Sequence, residues 1–186
     1  MAVGRVRLAG QLMLRWSFGL LLGVHCLVAS AQASEAGLRV AFVYNFLKFI
    51  EWPDTGSEQF SLCVLNAQDE TRQSLLQLDN KPYQHKRIHV VYIDKVADLD
   101  KQLGSCQLLY IPASGAAMPL PKSVPAGTLL VMDEPDPADT RIGIALMRTA
   151  DNRIEFLIND PAIQQAGVKV SSQLLKLAKK RQVGGG

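Results

Sequence analysis

The feature that most constrains the fold is a regular alternation of β-prone and helical segments in the middle of the chain. The β-prone runs are apolar and rich in β-branched residues; they are residues 60–65, 87–93, 106–111 and 128–132. Two segments between them have helical patterns; they are residues 69–78 and 96–103. Strands and helices that alternate at this spacing predict βαβ units and a mainly parallel, Rossmann-like α/β sheet flanked by helices.

The pattern changes after residue 140. Residues 141–148 and 153–158 are β-prone and flank a short turn, so we predict a C-terminal hairpin that makes the sheet mixed. The helix signals that follow are a cap at Asp160 with Pro161, a stop at Gly167, and a cap at Ser171 for a last helix over 172–181. The expected organisation is a single three-layer domain over residues 34–183 with a tail at 184–186.

Residues 38–52 are the most apolar stretch of the domain and predict a helix that Pro53 ends. At helical spacing, one stripe is expected to face the core; it consists of Leu38, Ala41, Phe42, Asn45, Phe49 and Trp52. A second apolar face is formed by Val43, Leu47 and Ile50, with Val40 beside it. A helix with two apolar faces is covered on more than one side, by its own domain or by another protein.

The first 33 residues have the pattern of a cleaved secretory signal. Three arginines precede an apolar run over residues 18–29, and an Ala-Gln-Ala cleavage pattern ends at Ala33. The apolar run is shorter than the ~20 residues that a membrane-spanning helix needs. We therefore predict an exported protein, with no membrane insertion after cleavage.

Removal of this segment changes the charge balance. It takes three of the 20 basic residues and leaves 17 against 17 acidic residues, in a chain of 153 residues. A neutral chain gives no indication of nucleic-acid binding. The two remaining cysteines, Cys63 and Cys106, favour a disulfide in an oxidising compartment, although two buried thiols that merely pack are the alternative. A disulfide would close a loop of about 44 residues and stabilise the fold by about 4 kcal/mol.

No motif in the sequence indicates catalysis, a cofactor or a metal. A phosphate-binding loop requires glycine, and the turn 65–69 has none. The sequence also lacks the G-x-S-x-G nucleophile elbow of hydrolases. His85 and His89 have no third ligand that we can name. The acidic group Asp133, Glu134, Asp136 and Asp139 lacks the spacing of a calcium loop, so we interpret it as a solvated turn.

Several segments resemble the YfiR/HmsC-like family. They are residues 44–53 after the export signal, the strand that carries Cys63, and residues 153–178, which end in the Ser171 segment. Within the first segment, Tyr44, Asn45 and Pro53 are the motif residues. The resemblance implies a periplasmic, non-enzymatic regulator that holds the periplasmic sensory domain of an inner-membrane diguanylate cyclase inactive. Lower cyclic-di-GMP and less biofilm formation would result.

The resemblance also implies partners and a disulfide. An OmpA-like outer-membrane lipoprotein can sequester the inhibitor in the family, and Cys63 and Cys106 match a pair that is bridged in the relatives. No cysteine matches the relatives' second pair. We expect Val43, Leu47, Ile50 or Trp52 to contribute to a cyclase or homodimer interface, because protein interfaces are enriched in aromatic anchor residues. Packing inside the domain is the alternative for the same residues.

A different class of function is also open at this stage. A periplasmic small-molecule-binding sensor subunit, serving a histidine kinase or a transport system, would have the same export signal and the same lack of catalytic motifs. Such a protein needs a pocket with converging polar groups, which a sequence alone does not reveal.

Overall fold

The computed structural model describes residues 34–179. In this range the chain forms five α-helices and nine strands. The helices are α1 (Glu35–Phe49), α2 (Asp69–Leu76), α3 (Val96–Gln102), α4 (Asp160–Ala166) and α5 (Ser172–Leu177). The strands are β1 (Ile50–Glu51), β2 (Gln59–Leu65), β3 (Pro82–Tyr83), β4 (Lys86–Ile93), β5 (Leu108–Ile111), β6 (Leu129–Asp133), β7 (Ile144–Arg148), β8 (Ile154–Ile158) and β9 (Lys169–Val170). The predicted segments 1–33 and 184–186 lie outside the described residues.

Seven strands form one mixed sheet in the order β3-β4-β2-β5-β6-β7-β8. The five strands from β4 to β7 are parallel, whereas β3 and β8 pair antiparallel at the two edges. The hairpin of β7 and β8 is the one predicted after residue 140. The predicted α/β class, with a mainly parallel sheet made mixed by a C-terminal hairpin, is therefore confirmed.

The sheet is covered on both faces, because alternate residues of its central strands enter two different apolar clusters. Leu62 and Val64 of β2 pack in a cluster with residues of α1, α2, α4 and α5. Cys63 and Leu65 pack in the other cluster, with α3 and residues of the loop after β5. Strands buried on both faces read as continuous apolar runs, which is why the sequence identified them.

The first helix differs from its prediction in position and in orientation. It spans Glu35–Phe49 instead of residues 38–52, and it ends where Ile50 and Glu51 become extended and pair with Val170 and Lys169 of β9. Pairing with a distant segment, and not the proline at position 53, therefore ends the helix. Its N-terminus is capped by Ser34, whose hydroxyl accepts a hydrogen bond from the backbone N–H of Gly37.

The C-terminal helices largely follow their signals. Gly167 closes α4 with a φ of 68°, and the hydroxyl of Ser171 accepts from the N–H of Leu174 at the start of α5. The capping residue of α4 is Asn159 and not Asp160. Helix α5 ends at Leu177, earlier than predicted, because the N–H of Lys179 donates to the carbonyl of Phe156 and so joins the edge of β8.

Candidate functional site

The residues predicted for a partner interface lie mostly inside the domain. Val43 and Leu47 are 0% exposed and Ile50 is 1% exposed, so the second apolar face of α1 is core. Trp52 is half-buried: its Nε1 donates to the carbonyl of Gln107 at 2.8 Å, and its ring meets Phe60 edge-on. For the three aliphatic residues, the burial favours the alternative of packing inside the domain over a place in a partner interface.

The stripe predicted for the core is only partly buried: Phe42, Phe49 and Trp52 are half-buried and pack against the core, whereas its other members face outward. Leu38 is 42% exposed, Ala41 and Asn45 are exposed, and the amide oxygen of Asn45 accepts from Lys48. The ring of Tyr44 lies under the ammonium groups of Lys48 and Lys81, at 4.5 and 4.7 Å. The motif residue that follows β1, Pro53, is also exposed.

The two cysteines of the domain form a disulfide. Cys63 and Cys106 are bonded, with their Cα atoms 5.7 Å apart, and both are buried in the cluster beneath α3. The bridge joins the middle of β2 to a residue two positions before β5, and these two strands are adjacent in the sheet. It therefore fixes the register of the sheet centre.

A crevice of about 770 Å³ opens at the carboxyl ends of the parallel strands. Strand β2 lies between β4 and β5, so the connections that leave β2 and β5 diverge, which makes this a topological switch point. Ligands of open α/β sheets bind in this position. The crevice is lined by residues of α1, the start of α2, the loop after β5, and the ends of β6 and β7.

Hydrogen bonds connect the loop after β2 to the loop after β5, beside the crevice. The side-chain amide of Asn66, just after β2, donates to the carbonyl of Ser114, and the hydroxyl of Ser114 donates to the carbonyl of Asn66. Gly115 lies so close to the last carbonyl of β2 that a Cβ there would clash with it. Close backbone approach at such a point requires glycine.

A buried arginine organises one wall of the crevice. Arg39 of α1 is 5% exposed. Its Nη2 lies 2.9 Å from Glu35 Oε1 and 2.7 Å from Glu134 Oε1, and its Nη1 lies 3.4 Å from Asp133 Oδ1. Burial lowers the pKa of Arg39, but the hydrogen bond to Glu134 and the charges of Asp133 and Glu134 outweigh it, so the pKa is raised and the guanidinium stays charged.

Asp133 ends β6 below this arginine and is 2% exposed. Its Oδ2 accepts from the hydroxyl of Tyr110 at 2.9 Å and from the N–H of Ala113 at 3.3 Å. Its Oδ1 accepts no hydrogen bond from any described residue. Burial raises the pKa of Asp133 although Arg39 and Tyr110 lower it, and burial beside this carboxylate raises the pKa of Tyr110.

The crevice surface has an excess of carboxylates. Glu134 accepts from Arg39 and from the N–H of Arg148, whose guanidinium contacts Glu35. Asp69 and Glu70, at the start of α2, are exposed and form no ion pair with any residue between 34 and 179. Across residues 34–179, no three His, Cys, Asp or Glu side chains are close enough to hold a metal.

The acidic group of residues 133–139, which we interpreted from the sequence as a solvated turn, is solvated only in part. Asp133 belongs to β6 and is buried, whereas Asp139 pairs with Arg141 at 2.6 Å and Asp136 accepts from a backbone N–H. His85 and His89 do not line the crevice; His89 is near Asp79, at 3.7 Å. The arrangement at the crevice is suited to binding charged groups.

Arg39 was not identified from the sequence as a functional residue. The available signal was its position in an apolar helix, four residues after Glu35, which is the spacing of an intrahelical ion pair. Asp133 was identified only as part of an acidic group. Its burial follows from the pairing of β6 with β5 and β7, which the sequence does not specify.

Over the described range, no helix is long and apolar enough to span a bilayer. The comparison with curated proteins finds no match for this chain. A family model described as YfiR/HmsC-like matches residues 36–179, which includes α1, the disulfide, the crevice and the C-terminal helices. This match extends over all but the first two of the described residues, and the chain belongs to the YfiR/HmsC-like family.

Proposed function

We propose that this protein is a periplasmic, non-enzymatic regulator that binds the periplasmic sensory domain of an inner-membrane diguanylate cyclase and inhibits it. Lower cyclic-di-GMP and reduced biofilm formation follow from that inhibition. Membership of the YfiR/HmsC-like family, matched over residues 36–179, is the observation that supports this function, because the family is one of regulators.

The disulfide supports the cellular location. A bridge between Cys63 and Cys106 is stable in an oxidising compartment such as the periplasm and rare in the cytosol. The signal pattern in residues 1–33 supplies a route to that compartment. Location and family together support the proposal that the protein meets the sensory domain of a membrane cyclase.

Of the four residues first considered for the cyclase surface, only Trp52 is partly exposed. Val43, Leu47 and Ile50 are core residues, so a partner meets α1 through its outward side or not at all. Leu38 and Ala41 lie on that side. A homodimer and an OmpA-like lipoprotein that sequesters the inhibitor belong to the same proposal, and each would use exposed residues.

Deletion of the gene tests the function. We expect cyclic-di-GMP to rise in the deletion strain and to return to its original level when the wild-type gene is restored. Restoration with Cys63→Ala/Cys106→Ala, which destabilises the domain, should be less complete. An unchanged cyclic-di-GMP level in the deletion strain, measured where the cyclase is expressed, contradicts the proposal.

The binding step is tested with purified components. The cyclase sensory domain should retain the protein in a pull-down, and Leu38→Asp, on the outward side of α1, tests whether that side participates. Leu177→Asp is the matched control, because Leu177 is also exposed and lies on α5. Failure of the wild-type protein to bind the sensory domain rules out direct inhibition.

The crevice is the observation that favours a second candidate, a sensor subunit that binds a small molecule. Its volume of about 770 Å³ is within the range of about 300–1,000 Å³ usual for ligand sites. The neighbouring genes discriminate between the two candidates: a cyclase with a periplasmic domain favours the inhibitor, and a histidine kinase or an uptake receptor favours the sensor.

A further inference from the structure

The hairpin of β7 and β8 has one apolar face that the helices do not cover. Alternate residues of the two strands enter the cluster beneath α1, whereas Ala145, Met147 and Leu157 point to the opposite face. Met147 and Leu157 are half-buried and belong to neither apolar cluster of the domain. Among the described residues, none from a helix lines the space above them.

A groove of about 240 Å³ lies on this face. Its floor contains Met147 and Leu157, and its wall is the connection from β6 to β7, which supplies Pro135 and Pro137. The volume is below the range of about 300–1,000 Å³ that is usual for small-molecule sites. The groove is therefore suited to a side chain of a polypeptide and not to a free ligand.

The chain itself returns to this groove after α5. The N–H of Lys179 donates to the carbonyl of Phe156 at 2.9 Å, and Lys179 pairs with Leu157 in a parallel bridge. Paired residues of adjacent strands point to the same face of a sheet. In agreement, the ammonium of Lys179 lies 3.3 Å from the carboxylate of Glu155, which shares the face of Leu157. At Lys179 the chain thus begins a strand that runs parallel to β8.

The next residues of the sequence are Lys180 and Arg181, and they can continue this pairing. The hydrogen bonds of a parallel ladder are evenly spaced, so the next donor is the N–H of Arg181. The next acceptor is the carbonyl of Ile158, which has the orientation of Phe156 because it lies two residues further along β8. By the same alternation, the side chain of Arg181 shares the groove face with Lys179, and that of Lys180 points away.

The charge of the groove matches an arginine. Two carboxylates line it, Asp136 and Asp139. Asp139 is paired with Arg141 at 2.6 Å, whereas Asp136 is exposed and forms no ion pair with any residue between 34 and 179. An arginine covers apolar surface with its stem and keeps its charged head in water. Its stem would cover Leu157, and its guanidinium would meet the remaining carboxylate at the rim.

We propose that residues 180–182 dock on this groove as an added edge strand. The N–H of Arg181 donates to the carbonyl of Ile158, and its guanidinium pairs with Asp136. The occupant is a segment of the same chain, because Lys179 already holds that segment beside β8 and so raises its effective concentration at the groove. The added strand covers part of the β8 edge, which would otherwise be open to pairing with a second copy. This contact needs no cyclase, so it is tested separately from the inhibitor function.

Amide hydrogen exchange of the purified chain over residues 34–186, resolved by NMR, tests the proposal. We expect the Arg181 amide to exchange about tenfold more slowly than an unprotected amide, as one backbone hydrogen bond predicts. Asp136→Asn should lower this protection about threefold, as loss of one exposed ion pair predicts. It keeps an acceptor for the N–H of Ala138, which Asp136 now provides.

Two charge reversals at neighbouring positions form a matched pair. Arg181→Glu should remove the protection of residue 181. Lys180→Glu makes the same change of charge on a side chain that points away from the groove, so the Arg181 amide should stay protected.

An Arg181 amide that exchanges at the unprotected rate in the wild type overturns the proposal, and so does an equal loss of protection in Arg181→Glu and Lys180→Glu. Protection that increases with protein concentration also overturns it, because the occupant would then be a second copy of the chain. Thermal melting shows whether each variant is folded, and the wild-type measurement decides the proposal even where a variant is not.

Discussion

Replacement of Arg39 by methionine tests whether the ion pair beside the crevice determines the stability of the domain. Methionine keeps most of the apolar stem in place, so the change removes mainly the guanidinium. The side chains of Arg39 and Asp133 are 6% and 3% exposed. Breaking a buried pair by removing one partner costs about 3–5 kcal/mol, because the other charge stays buried and uncompensated. Glu35 and Glu134 are about 40% exposed and lose less, because water reaches them.

The pH dependence of this loss has a definite sign. Burial raises the pKa of Asp133 in the folded state above its value in the unfolded chain, which is about 3.9. Its contribution to stability is therefore complete below about pH 3.9 and is lost as the pH rises through the folded-state pKa. Without Arg39 that pKa rises further. The stability deficit of Arg39→Met should thus be largest at neutral pH and should narrow on acidification toward about pH 4.

Urea denaturation followed by tryptophan fluorescence measures both effects, and Trp52 is the tryptophan of the predicted mature chain. We expect the deficit at pH 7 to exceed the deficit at pH 4.5, and Asp133→Asn in the Arg39→Met background to recover most of the difference. A deficit that is equal at both pH values and insensitive to Asp133→Asn would refute the argument, because the loss would then come from packing alone.

Two further predictions follow from other parts of the fold. Cys63→Ala/Cys106→Ala should lower the free energy of unfolding by about 4 kcal/mol, since it opens a loop of about 44 residues. Urea denaturation of the wild type with reductant should show a similar decrease in the free energy of unfolding. If it shows no decrease, the bridge contributes nothing to stability. Gly115→Ala should destabilise the domain by about 1–3 kcal/mol, because the new methyl group meets the last carbonyl of β2. Gly104→Ala is the control, because a Cβ added at Gly104 would meet no atom within 4 Å, and its melting temperature should not fall.

The central strands were predictable because their burial on two faces leaves a continuous apolar signature. The residues at which the helices begin and end were less predictable. Strand β1 consists of Ile50 and Glu51, whose partners Val170 and Lys169 lie about 120 residues further along the chain. A two-residue strand has no periodicity of its own, so only the tertiary contact reveals it. The early end of α5 has the same cause, since Lys179 leaves the helix to pair with β8.

The position of the crevice could be predicted from the sequence, but the residues that line it could not. A parallel sheet with a strand order that reverses places an opening at the carboxyl ends of its central strands, and the alternation of segments in the sequence implied such a sheet. Which side chains line the opening depends on how α1 lies across the sheet. Arg39 precedes Glu134 by 95 residues, and no local pattern associates them.

The orientation of α1 shows why a stripe of aromatic residues is a weaker guide to the core than its length indicates. Two apolar stripes were available, and the larger one, with Leu38 and Phe42, contains Asn45, an amide that would need buried partners. The other stripe contains Val43 and Leu47 and begins one turn after Arg39. The orientation that buries this second stripe also brings the guanidinium of Arg39 to Asp133 and Glu134 at the end of β6. Asn45 meanwhile stays exposed and hydrogen-bonded to Lys48. The polar groups therefore decide between two apolar faces of similar size, since an unpaired buried amide costs about 1–3 kcal/mol. Phe42, Phe49 and Trp52 of the first stripe still pack against the edge of the core, so each stripe contributes apolar contacts, and of the first one only Leu38, Ala41 and Asn45 are exposed.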